Sequence, residues 1–232
     1  MAITLNKLSY DLLNSARGGK VSSSEQISLR QVKEWVKNTR ILLIQRELDK
    51  HRSVSQNIIS DLGCVNVSLV DASSCCGITV DCNILRTDVK IPNPIETAQK
   101  DMLTRVASSD LTSIGYTIIP YQRAAHTGNG QFTKLGHYAF MHDNYVYVMG
   151  PKSGLFKRIN IQGVFEDPTE SATFTSCSGE ACYTDDSKYP ISGKHVEILK
   201  QMIFETNFRI AIQGKTDVTG DGKHNPEQVT DK

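Results

Sequence analysis

The sequence predicts an α+β protein in which helices at both ends of the chain pack together, with a β-rich antiparallel middle region between them. Three observations predict it. A helix-start signal at Ser22 precedes apolar residues at helical spacing, a matching apolar face begins at Val196, and the span between is cut into short β-branched and aromatic runs by Gly, Pro, Asp and Asn.

Residues 5–16 have the length and pattern of a short helix, which Arg17-Gly18-Gly19-Lys20 ends. Ser22 with Glu25 three residues later fits a capping box, in which each side chain satisfies an otherwise unpaired backbone N–H at a helix start. In the long helix that should follow, Leu29, Val32, Trp35, Val36 and Leu43 recur near helical spacing. Ile41-Leu42-Leu43-Ile44 makes its second half apolar on most sides, so that half must be buried, and another subunit is one way to bury it. Residues 65–70 and 78–85 read as strands closed by Pro92 and Pro94, residues 95–107 as a short helix, and Tyr116-Thr117-Ile118-Ile119 as a further strand.

Tyr138-Ala139-Phe140-Met141 and Tyr145-Val146-Tyr147-Val148-Met149 flank the turn-forming trio His142-Asp143-Asn144, which is a hairpin pattern. After Gly150-Pro151-Lys152-Ser153-Gly154, Ile159 and Ile161 alternate with Asn160 and Gln162 until Gly163 suggests a bulge, and the three runs together read as a β-meander. Near the other end Val196, Leu199, Ile203 and Ile210 define one helical face, widened by Ile198, Met202, Phe204, Phe208 and Ile212, with Gly214 as a stop. Residues 215–232 hold too few apolar side chains to offset the entropy of ordering, so they read as a flexible tail or a partner-binding arm. The chain therefore divides into an N-terminal helical part (1–60), a β-rich middle (61–190), a C-terminal helix that packs on the N-terminal helices (191–214), and the tail (215–232).

The 232 residues carry a net charge of +1, which gives no bulk pull toward nucleic acid or membrane, so any such binding would be local. No apolar run approaches the roughly 20 residues that span a bilayer, and Met1-Ala2-Ile3-Thr4-Leu5 does not begin a secretory signal, so a soluble product made in the cytoplasm is expected. In that setting the six cysteines, Cys64, Cys75, Cys76, Cys82, Cys177 and Cys182, are expected as thiols.

Each candidate site has an ordinary alternative. Cys75-Cys76 and Cys82 flank one turn, and Cys177 and Cys182 another. Four thiolates can hold zinc, but the Cys-x-x-Cys knuckles are missing, so small buried or free thiols are the better reading and no metal is assigned. Asp217-Val218-Thr219-Gly220-Asp221-Gly222 opens like a calcium loop, yet Gln228 stands where a bidentate Glu is needed, which favours a solvated turn. Gly128-Asn129-Gly130-Gln131-Phe132-Thr133-Lys134 lacks the Gly-Lys-Ser/Thr order of a phosphate loop and reads as a mobile loop.

Arg30, Lys33, Lys37 and Arg40 align as a cationic stripe on the long helix. It could face phosphate or an acidic partner, but Glu34 and Glu47 dilute it, so a solvated face is expected. Asp185-Asp186 is best read as turn chemistry. With no His-Glu-x-x-His pair and no Gly-x-Ser-x-Gly elbow, no catalytic or cofactor-binding residue is assigned and no enzyme is expected.

Four segments carry a family resemblance: Ile27-Ser28-Leu29-Arg30-Gln31-Val32-Lys33-Glu34-Trp35, Asp61-Leu62-Gly63-Cys64, Val70-Asp71-Ala72-Ser73, and Gly163-Val164-Phe165-Glu166-Asp167-Pro168. In their order they resemble a structural virion protein of crAss-like bacteriophages, and the layout is similar to the tail tubular or adaptor proteins of other short-tailed phages. The resemblance implies a neck or tail subunit that oligomerises into a dodecameric ring, a head-to-tail connector joining the portal protein to other ring or tail proteins around the DNA channel. It implies weak, non-specific contact with the genome, no membrane, and a place in the virion after synthesis in the host cytoplasm. A small zinc-stabilised DNA-binding protein and a virion-associated enzyme are the alternatives.

Overall fold

The computed structural model describes residues 3–16, 27–50, 55–71, 83–97, 102–109, 115–127, 131, 133–151 and 157–209. The first helix, α1 (Leu5–Ala16), buries Leu5, Leu8, Leu12 and Leu13, a single face at helical spacing. The second, α2 (Leu29–Leu48), starts at Ser28, whose hydroxyl accepts the Gln31 N–H at 3.2 Å. The capping box at Ser22 and Glu25 lies outside the described residues, and the cap on this helix is Ser28.

The all-round apolarity of 41–44 has an internal cause. Val32, Val36 and Leu43 pack with α1 and the C-terminal helix, whereas Ile44 points the other way into a cluster with Ile58, Ile95, Met102 and Val164. The helix is wedged between two cores, and of the four residues Leu42 is the one left exposed, at 48 %. No second subunit is needed to bury Leu43 or Ile44.

Seven strands form a closed barrel: β1 (Ser60–Asp71), β2 (Asn83–Thr87), β3 (Leu103–Ser108), β4 (Gly115–Ile118), β5 (Tyr138–His142), β6 (Tyr145–Met149) and β7 (Arg158–Gly163). Their order around the barrel is β1-β2-β6-β5-β4-β3-β7, and β1 closes it by pairing through its first half with β7 and through its second half with β2. Val65, Val67, Leu85, Val106, Val146, Val148, Ile159 and Ile161 fill the interior.

The expected hairpin is present. Asp143 and Asn144, with φ of 49° and 63°, make a two-residue turn between β5 and β6, with both central residues left-handed as the strand twist prefers.

Three expectations are corrected. Residues 103–108 form a strand and not part of a helix, because pairing to β7 and β4 overrides the helix-compatible composition. The third run of the supposed meander leaves the hairpin: β7 pairs with β1 and β3, so the unit is a hairpin plus a crossover strand. The middle region is not wholly antiparallel, since β4 and β5 pair in parallel through Thr117 with Tyr138 and Ile118 with Ala139. A connection that includes the helical turn α3 (Tyr121–Ala124) returns the chain in the same direction.

The bulge signal at Gly163 marks the right place on the wrong strands. Register shifts lie between Asp61 and Cys64 in β1 and between Leu103 and Arg105 in β3, on both sides of β7. The β1 shift contains Gly63, at φ +68°, where an added Cβ would lie 2.6 Å from the Thr175 carbonyl oxygen and 2.7 Å from Ser176 Cα.

The C-terminal helix α4 (Gly193–Ile203) sets Val196, Leu199 and Ile203 in the same core as Val32 and Val36, so the two ends of the described chain pack together. A π-helical turn, Phe204–Phe208, then follows. In an α-helix the position four beyond Ile203 would be Asn207. The wider turn brings Phe208 to that face instead, edge-on to Trp35 at 5.2 Å and stacked on Phe204 at 5.0 Å. The expected stop at Gly214 and the tail from 215 lie outside the described residues.

Gly63→Ala meets both a left-handed backbone and two main-chain atoms, so it should cost about 2–4 kcal/mol in urea unfolding. Gly179→Ala has φ +91° with nothing within 4 Å, and should cost only about 1 kcal/mol. Equal losses would show that the contact with Thr175 and Ser176 does not matter.

Candidate functional site

Three of the four members of the cationic stripe on α2 turn toward the protein and join the helical end to the chain that leaves the barrel. Lys33 Nζ meets Asp185 Oδ2 at 2.6 Å. Lys37 Nζ meets Asp167 Oδ2 at 2.8 Å and donates to Thr169 Oγ1 at 3.1 Å. Arg40 is fully buried: its Nε donates to the Pro190 carbonyl at 2.8 Å, and its Nη1 donates to the carbonyls of Phe165 at 2.8 Å and Glu166 at 3.2 Å. Arg30 alone of the four stays exposed.

The receiving side is locally built. After β7, Asp167 caps a 3-10 turn, Pro168–Thr173, by accepting the Thr169 N–H at 2.8 Å and the Thr169 hydroxyl at 2.7 Å. Burial works against the Asp167 charge, but hydrogen bonds from Lys37 and Thr169 outweigh it and hold the carboxyl below its ordinary range. For Lys37 burial also opposes the charge, and the hydrogen bond and attraction of Asp167 more than offset it, so its ammonium is held above the ordinary value.

Burial lowers the Arg40 guanidinium, with Tyr189, Tyr183 and Asp167 acting the other way. Tyr189 sets its ring 5.8 Å from the guanidinium carbon, and burial pushes the Tyr183 and Tyr189 phenols up. At the far end of α2, Glu47 pairs with His195 Nε2 at 3.0 Å and with Lys194. His195 carries no motif, and its role follows from the apolar spacing of α4 only after the two helices are docked.

Beside this junction lies a cleft of about 310 Å³. It is lined by Asn57, Asp61, Ser171, Cys182, Tyr183 and Lys188, among others. Its charged groups already serve the framework. Asp61 accepts from the Gly63 N–H at 2.7 Å, from Asn160 at 2.7 Å and from Gln162 at 2.9 Å, and Lys188 Nζ donates to Asn57 at 2.7 Å. No carboxylate pair or nucleophile–base contact is assembled there among the described residues. Asp185 and Asp186 do not converge on a ligand either: the first holds Lys33 and the second accepts from Asn6 at 2.7 Å.

The cysteines depart from expectation. Cys64 on β1 and Cys177 form a disulfide, with Cα atoms 5.0 Å apart, and Cys182 is a free thiol. The bond pins the 175–181 turn, bridged at Thr175 and Ala181, onto the bulge at Gly63. A zinc site using Cys177 and Cys182 together is thereby ruled out in this state; Cys75, Cys76 and Cys82 lie outside the described residues.

Among the described residues no group of three or more His, Cys, Asp or Glu side chains could hold a metal. The calcium-like stretch 217–228 is outside the described residues, as are Gly128, Asn129, Gly130 and Phe132 of the glycine loop. Lys134 is described, in a turn closed by the Gly136 N–H on the Thr133 carbonyl.

The ion pairs and main-chain contacts of this junction serve packing between the helical end and the chain that leaves the barrel. A family model described as phage tail ring protein 2, of the crAss ring group, matches residues 7–228, and the chain belongs to that family. No curated protein matches it. It is thus a structural phage tail protein of a ring-forming family, with the oligomerisation, the tail partners and the place in the virion that this family implies. Among the described residues no helix is long and apolar enough to cross a membrane.

Arg40→Met should cost about 3–5 kcal/mol in urea unfolding, because it strands the buried carbonyls of Phe165 and Pro190 and the partly buried carbonyl of Glu166. Lys33→Met, which removes a partly exposed pair, should cost less than about 1 kcal/mol. Similar losses in the two variants would remove Arg40 from its central position. The disulfide closes a separation of 113 residues, for which chain entropy gives at most about 5 kcal/mol. Dithiothreitol should therefore lower the wild-type unfolding midpoint and leave a Cys64→Ser/Cys177→Ser double variant unmoved; a wild-type midpoint that ignores reductant would count against the bond.

Proposed function

We propose that this chain is a subunit of a dodecameric neck or tail ring that joins the portal protein to the tail and encloses the DNA channel. The observation that carries the reading is the family match over 7–228. The chemistry of the chain supports it. The net charge is +1 and Lys33, Lys37 and Arg40 are engaged in contacts within the fold, so the stripe on α2 is not presented to phosphate, and a passage for DNA needs weak, sequence-independent contact.

In this reading the helical part (1–60 with 191–214) and the β-rich middle (61–190) are the two framework parts, and 215–232 is an arm that orders on a neighbouring protein. The subunit is made in the host cytoplasm and serves in the particle, where a disulfide such as Cys64–Cys177 persists more readily than in a reducing cell. A zinc-stabilised DNA-binding protein or a virion enzyme draws no comparable support, since Cys177 is bonded to Cys64 and the charged groups of the cleft are held in framework hydrogen bonds.

Native mass spectrometry and electron microscopy of the purified chain, alone and mixed with the portal protein, test the reading. A closed ring of twelve copies, formed alone or on the portal, is the expected result. A metal-containing monomer that binds DNA tightly and ignores the portal would sink it.

A further inference from the structure

The barrel carries a second apolar surface on its outside. Side chains alternate along a strand, so the neighbours of the interior residues Leu85, Val146 and Val148 point outward. The register sets them in rows: Val70 opposite Ile84, and Arg86 opposite Tyr147, which is itself opposite Phe140. Phe140 and Tyr147 are buried by stacking at 5.1 Å and by α3. Val70, Ile84, Tyr145 and Met149 around them remain partly exposed. Arg86 lies in the middle, its guanidinium carbon 4.3 Å from the centre of the Tyr145 ring and its Nε buried with no hydrogen-bond partner. Among the described residues no carboxylate pairs with it.

An arginine flanked by an aromatic ring and ringed by half-exposed apolar side chains has the composition of an interface anchor that needs an acid set among apolar groups. The solvent side of α4 and its π-helical extension supplies one. Glu197, Ile198, Gln201 and Glu205 are all exposed along it, Ile198 at 47 %, and the Glu197 side chain at 81 % is held only by a 3.3 Å contact with Lys200. A ring closes by joining two different faces of each subunit, and these two faces belong to different parts of the fold.

We propose that in the ring the outer β1-β2-β6-β5 face of one subunit receives α4 of its neighbour, with Ile198 on the Ile84–Met149 surface and Glu197 on Arg86. This rests on the ring reading above. Charge reversal on the full chain, followed by native mass spectrometry, tests it. Arg86→Glu and Glu197→Arg should each raise the concentration needed for ring formation about tenfold or more, and the double variant should recover most of the loss. A photo-crosslinking residue in place of exposed Ile198, which leaves the barrel untouched, should link to residues 84–86 or 145–149 of a second copy and decides the matter if Arg86→Glu fails to fold.

Rings that form normally in both charge variants overturn the contact, and so do cross-links that map elsewhere. It is likewise overturned by an Arg86→Glu ring that is intact but has lost DNA binding, since the face would then belong to nucleic acid. In all three outcomes the ring itself stands. A wild-type chain that forms no ring, alone or with portal, removes the ring reading and this contact with it.

Discussion

The structure depends on a buried cation whose acceptors are main-chain carbonyls. Arg40 reaches from the middle of α2 to Phe165, Glu166 and Pro190, and it has no carboxylate of its own. Burying a guanidinium is costly unless its N–H groups find acceptors. Three carbonyls on Nε and Nη1, the face of Tyr189, and the field of Asp167, which Lys37 grips one turn earlier, offset part of that cost, while Nη2 is buried with no hydrogen-bond partner among the described residues. Because carbonyls are fixed by backbone and not by side-chain rotamers, this arrangement sets the position of whole segments.

The stretch from Gly163 to Asp167 shows how much is tied to that point. Gly163 packs against the Met102 carbonyl, where a Cβ would lie 3.1 Å away. Val164 enters the cluster around Ile44, the Phe165 ring enters the barrel core while its carbonyl accepts a hydrogen bond from Arg40, and Asp167 holds Lys37. Val164 and Phe165 thus enter two different cores, while the carbonyls of Phe165 and Glu166 and the Asp167 carboxylate hold α2. The resemblance carried by Gly163 to Pro168 is a resemblance in framework, and the chemistry it specifies is packing and charge placement.

The sequence made some of this legible and hid the rest for physical reasons. Periodicity found α2 and the apolar face of α4, and turn chemistry found Asp143-Asn144, because those signals are local. The strand at 103–108 was hidden since its preference is set by partners at 115–116 and 159–163, and local composition pointed to helix. The spacing of Lys33, Lys37 and Arg40 correctly put them on one stripe. It could not show that the stripe faces carboxylates and carbonyls more than a hundred residues away, because a solvated row and a docked row have the same period. The Cys64–Cys177 bond was likewise beyond spacing, since the bulge at Gly63 is what brings the 175–181 turn to β1.

The reach of Arg40 also orders events in time. It and the Pro190 carbonyl are 150 residues apart, and at about 5–20 residues per second a ribosome takes roughly 8–30 s to cover that distance. Until Phe165 and Glu166 follow, 125 and 126 residues after Arg40, α2 carries two apolar faces and a cation with none of its acceptors synthesised. The barrel waits as well, since β1 cannot close before β7 arrives. Folding of this subunit is therefore a late step dominated by distant contacts, and a nascent chain stopped before Phe165 presents α2 to the cell's chaperones with neither its carbonyl partners nor the Asp167 and Asp185 carboxylates.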